Sequence, residues 1–470
     1  MLQPICLPRN YWQTRGMSFT AINPATEEVI AEYPTHTPEQ VEAALETASQ
    51  AFKQWSKTPV AERARLMLTA AELLESEIPV AAEIMTSEMG KTFAAAKGEA
   101  SKCASVMRYY AEHAAEIVAP EEIATSASRS GVRYEPIGPI FAVMPWNFPL
   151  WQFIRFAAPN VVAGNVAVLK HASNVPGSAK YLESLFERSG FPKGVVTSLF
   201  IGHDVAANII ADPRIAAVTL TGSEGAGRTV GATAGKYLKK AVLELGGSDP
   251  FIVGASADLD LTVAKAVTAR VQNNGQACIA SKRYIVLREI ADQFIPRFVE
   301  AMAAVSVGDP MDPSTVIGPL ANKAQLNELT EQVAKSIAAG AVAHVGGAPV
   351  EGKGYYYPAT VLTNVPDDSP AGCEELFGPV AVVHVVENMD EAIEVANNTP
   401  WGLGGSIWAT DPAEIEAAIA GIDAGMVFAN AIVASMPELP FGGTKASGYG
   451  RELALSGARE FMNAKSFYVA

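Results

Sequence analysis

From residue 136 onward, short apolar runs alternate with helical stretches, and no other feature of this chain constrains its fold as much. Residues 140–144, 166–169, 195–201, 215–220 and 241–245 read as strands, and 150–164 and 176–188 as helices. Strands separated by helices run parallel and need both faces covered, so the chain reads as α/β. Ahead of this block, residues 38–116 carry Ala, Glu, Leu and Met at helical spacing. Thr37-Pro38-Glu39-Gln40 has the cap, proline and acid of a helix start. A second alternating block spans about 251–427, with strands at 251–253 and 284–287. Residues 131–135 and 465–469 read as edge strands outside both cores. Exposed edges commonly pair with another subunit, so a homodimer or homotetramer is expected.

With 470 residues, two or three domains are expected. Apolar residues make up 49% and charged residues 18%, the balance of a globular chain. The net charge of −15 weighs against nucleic acid or an anionic membrane as partner. No stretch approaches the ~20 apolar residues of a membrane span. Residues 1–16 lack the apolar core of a signal peptide and read as a poorly ordered leader, with Met17 a candidate start. The cysteines Cys6, Cys103, Cys278 and Cys373 are scattered, which suits a reducing cytoplasm. The six histidines show no metal-ligand spacing, so no metal site is expected.

Three residues have the chemistry to attack a carbonyl and release an acid. Cys278 follows Asn273-Asn274-Gly275-Gln276, a polar, turn-prone run unlike a core segment. Most free cysteines are buried and structural, but this setting favours a nucleophile. Asn147, in Pro145-Trp146-Asn147-Phe148-Pro149, supplies an amide that, with the Cys278 N–H, suits an oxyanion. Glu244 ends an apolar run ahead of Gly246-Gly247. It reads as a solvated strand-end carboxylate or as a general base whose pKa burial raises.

Other residues suit a nucleotide. Thr221-Gly222-Ser223 follows a strand and opens a helix, where glycine lets phosphate approach free N–H groups. Lys170 ends a strand and Ser173 follows; they read as a surface lysine and a helix cap, or as ribose contacts. In Glu375-Leu376-Phe377-Gly378-Pro379, the carboxylate suits ribose hydroxyls and the ring suits a nicotinamide. An ordinary loop with a packed ring is the alternative.

Together these segments, with Leu243-Glu244-Leu245-Gly246-Gly247, Gly275-Gln276-Ala277-Cys278 and Pro440-Phe441-Gly442-Gly443, resemble the aldehyde dehydrogenase superfamily from about Phe19 to the C-terminus. The resemblance implies a Rossmann-type cofactor domain (17–120 and 140–245), an α/β catalytic domain (246–428) and a β oligomerisation flap (121–139 and 429–470). It implies Cys278 as nucleophile, Glu244 as base and Asn147 as oxyanion donor. Trp146, Lys170, Gly222, Ser223, Glu375 and Phe377 would touch the cofactor. Many NAD-preferring members carry a glutamate at the position of Ser173. A small hydroxyl beside Lys170 removes that repulsion, so NADP is expected over NAD.

Within the superfamily the chain is most similar to succinate-semialdehyde dehydrogenases, which carry an arginine at the position of Arg155 for the substrate carboxylate. Ser435 matches a serine of the same pocket. Arg155 lies in a largely apolar helix and needs an anionic partner, either in the substrate or in an internal salt bridge. A second arginine of that subgroup is Gln272 here, which puts affinity for the acid or the breadth of substrates in question. Ala280 stands where some relatives have a second cysteine, and Ser248 where lysine or asparagine is common. The expected reaction is oxidation of a short acidic aldehyde through a thiohemiacetal and a thioester. The alternatives are a dehydrogenase for another small aldehyde, a CoA-acylating enzyme, and a non-catalytic protein on the same scaffold.

Overall fold

The structure, a computed structural model, describes residues 18–470. The leader expected at 1–16 lies outside the described residues, as do Cys6 and Met17. The first long helix, Pro38–Trp55, begins as its sequence suggests. The Thr37 hydroxyl accepts the Gln40 N–H, the Gln40 side chain accepts the Thr37 N–H, and Pro38 occupies the first turn. This helix and its successors, Val60–Ser76, Ile78–Met89 and Phe93–Glu112, bury apolar faces in the same core as the first sheet.

That sheet has six strands. Its order is Gly448–Tyr449, Lys240–Glu244, Ala217–Thr221, Pro139–Val143, Val166–Lys170 and Val196–Ser198. The last five are parallel, and their chain order across the sheet is 5-4-1-2-3, the doubly wound arrangement. Strand order reverses between Pro139–Val143 and Ala217–Thr221, so a crevice opens beyond the C-terminal ends of these two strands. Both faces are covered, and every residue of Val166–Lys170 and of Ala217–Thr221 is buried. The strand expected over 195–201 is only Val196–Ser198, the outer parallel strand, which has a ladder partner on one side.

A second sheet of seven strands is built from residues 250–429, with Arg283–Leu287 in the middle. It is parallel apart from Val342–Val345 at one edge. The edge strands read from sequence also form. Arg129–Pro136 pairs antiparallel with Met462–Val469 over eight positions, and Glu121–Glu122 completes a three-stranded ribbon. The outer edge of Met462–Val469 pairs with no strand among the described residues.

The C-terminal segment therefore divides. Its last strand lies in the ribbon, while Gly448–Tyr449 joins the first sheet against Leu243 and Glu244. That detour carries Phe441, Gly442 and Glu452 in beside Glu244. Among the described residues, no helix is long and apolar enough to cross a membrane. Nor does any group of three or more His, Cys, Asp or Glu side chains have metal-binding geometry there.

Candidate active site

A cavity of about 460 Å³ occupies the crevice at the switch point. Pro145, Trp146 and Asn147 line it from beyond the Pro139–Val143 strand. Thr221, Gly222 and Ser223 line it from the end of Ala217–Thr221. Cys278, Glu375 and Phe377 come from the side of the second sheet. The two sheets thus bring together residues more than a hundred positions apart.

The turn before Cys278 is not the surface loop its polar composition suggests. Asn273 and Asn274 are buried, and both are left-handed, with φ of 53° and 59°, a conformation asparagine tolerates. Their polar atoms are used internally. Asn274 Nδ2 donates to the carbonyls of Gly90 and Pro319, each at 2.9 Å, and its Oδ1 accepts the Gly318 N–H. Asn273 Nδ2 donates to the carbonyls of Asn147 and Gln276. Gly275 follows at φ +74°, where a Cβ would lie 2.3 Å from the Gly378 backbone. Glycine there lets the Glu375–Pro379 loop pack directly on the cysteine turn.

Cys278 is half-buried and opens onto the cavity. Its carbonyl accepts Lys282 Nζ at 2.8 Å, which fixes the peptide behind the thiol. Burial pushes the thiol up to about 12, against the pull of the Arg155 and Lys282 charges. Asn147 is held for donation. One Nδ2 proton goes to the Gln276 carbonyl at 3.1 Å, and its backbone carbonyl is pinned by Asn273. Its second amide proton has no acceptor recorded among the described residues.

Glu244 ends its strand and is buried behind the cavity wall; its successors Leu245 and Gly246 line the cavity instead. Neither carboxyl oxygen has a hydrogen-bond partner among the described residues. Burial raises its pKa well above the carboxylate range, and the neighbouring Glu452 raises it further. A Cβ on Gly442 would come 2.7 Å from Glu244 Oε1. The Pro440-Phe441-Gly442-Gly443 run therefore makes room for this carboxyl.

Glu452 carries no signal in the sequence, and it determines the role of Arg155. Arg155 and Glu452 are 2% and 3% exposed, with Nε 2.5 Å from Oε2. The guanidinium lies over the Phe441 ring, 4.3 Å from its centroid, and Nη2 donates to the Thr221 hydroxyl at 3.4 Å. Phe441 and Glu452 face each other through two backbone hydrogen bonds, N–H to carbonyl in each direction, at 2.7 and 2.8 Å. Of the two partners expected for Arg155, a substrate carboxylate or an internal acid, the structure shows the internal one. Its anionic partner is internal, because a buried guanidinium is stable only with a charge beside it. Ser435 is buried and faces a different cation, with Lys102 Nζ donating to its hydroxyl at 2.7 Å.

The nucleotide residues fall into two groups. Trp146 and Phe377 meet edge to face in the cavity, with centroids 5.6 Å apart. Glu375 accepts the Gly247 N–H at 3.1 Å and lies 3.2 Å from Lys282. Ser223 caps the Glu224–Lys236 helix by accepting the Ala226 N–H at 3.4 Å, and a Cβ on Gly225 would meet nothing within 4 Å. That helix start is open to an anion. Lys170 is buried at the end of its strand and joins no ion pair among the described residues; burial alone lowers its pKa, to about 8. Ser173 is exposed on the turn that follows and does not line the cavity. His203 lies close enough that the Lys170 charge is the main cause lowering its pKa. An unpaired buried ammonium, an open helix start and a ring pair fit a phosphorylated dinucleotide.

Comparison with known proteins agrees with this layout. A succinate-semialdehyde dehydrogenase [NADP(+)] from Mycobacterium tuberculosis is 52% identical over 457 residues, covering 97% of this chain and 100% of the relative. A protein of the same name from Mycobacterium avium is 50% identical, covering 96% of this chain and 97% of the relative. The structure of a succinic semialdehyde dehydrogenase from Streptococcus pyogenes, solved with NADP+, superposes with a TM-score of 0.94 at 38% identity, covering 96% of this chain and 99% of that one. The model of the aldehyde dehydrogenase family matches residues 12–467, and the chain belongs to that family.

Proposed function

We propose that this protein oxidises succinate semialdehyde to succinate with NADP, through a thioester on Cys278. The observation that carries the reading is that Cys278 and Asn147 open onto the same cavity as the Ser223 helix start and the Trp146–Phe377 pair. Relatives at 52% and 50% identity named for this substrate and cofactor support the choice of both.

In this mechanism the Cys278 thiol loses its proton to solvent and the thiolate adds to the aldehyde carbon. The oxygen of the resulting thiohemiacetal takes hydrogen bonds from Asn147 Nδ2 and the Cys278 N–H. When bound, the oxidised nicotinamide supplies the hydride acceptor that turns this adduct into a thioester. Trp146 and Phe377 wall the cavity where the ring would lie. Glu244 then takes a proton from a water whose oxygen attacks the thioester carbon. Succinate leaves and the thiol is restored. A carboxyl directly behind the Leu245–Gly246 wall of the cavity favours hydrolysis over transfer to coenzyme A.

The cofactor preference rests on Lys170, a buried cation facing no acid, with the hydroxyl of Ser173 in place of a carboxylate. A 2'-phosphate meets a charge there and a 2'-hydroxyl does not. The wild-type protein is expected to show a higher kcat/KM with NADP than with NAD. Lys170→Ala lowers the NADP value about 10- to 100-fold, the worth of one charge-assisted contact, and lowers the NAD value far less. Equal losses on both cofactors, or an NAD advantage in the wild type, would overturn this preference. The open edge of Met462–Val469 also supports a homodimer or homotetramer. Light scattering should return the mass of two or four chains; a monomer at micromolar concentration contradicts it.

A further inference from the structure

Lys282 sits at the foot of the Arg283–Leu287 strand, four residues after the nucleophile. Its backbone N–H donates to the Asp249 carbonyl at 3.0 Å, and its side chain is 2% exposed. The ammonium has three protons and three acceptors. These are the Cys278 carbonyl at 2.8 Å, the Ala277 carbonyl at 3.2 Å and Glu375 Oε1 at 3.2 Å. A carboxylate beside it is what any buried lysine requires. The contact with Ala277 reaches the reaction itself.

The Ala277 carbonyl and the Cys278 N–H belong to one peptide group. That peptide is trans, so the two bonds point in opposite directions. A cation on the oxygen draws electron density from the nitrogen across the resonant C–N bond, and the N–H becomes a stronger donor. The carbonyl accepts the Ala280 N–H at 3.1 Å as well as the ammonium. The Cys278 N–H has no acceptor among the described residues. The unused donor is therefore on the residue whose side chain lines the cavity, and the charge behind it is buried, where water screens it little.

We propose that Lys282 is a positioning residue for the oxyanion: through the Ala277–Cys278 peptide it orients and strengthens the Cys278 N–H that meets the thiohemiacetal oxygen. The proposal rests on the reading of the protein as a cysteine-dependent aldehyde dehydrogenase. Glu375 offers the competing route, because a lysine that served only to hold this carboxylate would act on the cofactor and not on the oxyanion.

The test compares two reactions of Cys278 at one pH under saturating NADP. Oxidation of succinate semialdehyde builds an oxyanion, and alkylation by iodoacetamide builds none. Both need the thiolate, so a change in the thiol or in its turn moves them together. In Lys282→Met, kcat/KM for the semialdehyde falls about tenfold further than the alkylation rate, short of the roughly 10²- to 10³-fold lost when an oxyanion donor is removed outright. The same gap separates Glu375→Gln from Glu375→Gln/Lys282→Met, since the lysine reaches the peptide without the carboxylate. Equal falls in the two reactions overturn the proposal and leave the dehydrogenase reading standing. A gap that disappears in the Glu375→Gln background assigns the lysine to the carboxylate and overturns the proposal too. A wild-type protein that is alkylated at Cys278 but oxidises no aldehyde overturns the dehydrogenase reading, and this proposal with it. If Lys282→Met does not fold, the comparison is made in Lys282→Gln, where a neutral donor replaces the charge, and the same outcomes decide.

Discussion

Cys278→Ala should lose aldehyde oxidation by a factor of about 10⁴ or more, because it removes the thiol carried by the turn that holds the Asn147 amide. The loss falls on kcat, while binding of NADP, followed by quenching of tryptophan fluorescence, stays close to wild type. Asn147, the Ser223 helix start and the ring pair are untouched by the change. The thiol itself should be sluggish when no ligand is bound. Burial holds it up to about 12, so at neutral pH almost all of it carries its proton. Alkylation of Cys278 by iodoacetamide should therefore accelerate with pH from 7 to 10, by about tenfold per unit as the thiolate fraction grows. A plateau below pH 8 would show a thiolate already formed and contradict the geometry described. Residual dehydrogenase activity in Cys278→Ala, within a few-fold of wild type, would end the thioester mechanism.

Glu244→Gln should act later in the cycle. Glutamine keeps the shape of the side chain and cannot take a proton from water, so the acyl group forms and then waits. The expected signature is a rapid burst of about one NADPH per site followed by turnover slowed on the order of 10²- to 10⁴-fold. The pH profile supplies an independent check. Burial and the Glu452 charge both raise the Glu244 pKa, so the base is mostly protonated at the usual carboxylate range and becomes active only as pH rises. Turnover in the wild type should climb with pH across that limb, and the limb should vanish in Glu244→Gln. Slow turnover without a burst would place the block before hydride transfer and remove Glu244 from its role.

The carboxyl group is also placed for such a change of state. Both of its oxygens lack hydrogen-bond partners, and Gly442 leaves the space beside Oε1 open. Arg155, whose charge favours the ionised form of Glu244, is paired with Glu452, so that charge is partly spent elsewhere. Removing Arg155 would strand Glu452 in the interior, a fault typically worth 3–5 kcal/mol. Loss of activity in an Arg155 variant would for that reason say little about the substrate.

Much of this molecule was legible before any coordinates. Periodicity located the five parallel strands near residues 140, 166, 196, 217 and 241, because the interior of a parallel sheet must be apolar on both faces. Two features were only partly legible. The asparagines before Cys278 read as a turn-prone run unlike a core segment; they do turn, yet they are buried and bond the backbone of neighbouring loops. Polarity marks a need for partners, and exposure is one way to meet it. Arg155 read as needing an anion, in the substrate or inside the protein, and the acid it meets lies almost three hundred positions downstream.

Local chemistry can be read along a chain because strand period, helix caps and glycine turns involve neighbours within a few residues. The sequence by itself therefore determined the α/β architecture and marked Cys278, Asn147 and Glu244 as the candidate nucleophile, amide and base. Which cation meets which acid was decided by the tertiary structure alone. Lys102 and Ser435 are 333 positions apart, and Arg155 meets Glu452 only because a late segment turns back to join the first sheet. Such pairs leave no period in the sequence, since the fold, not the spacing, brings the charges within reach.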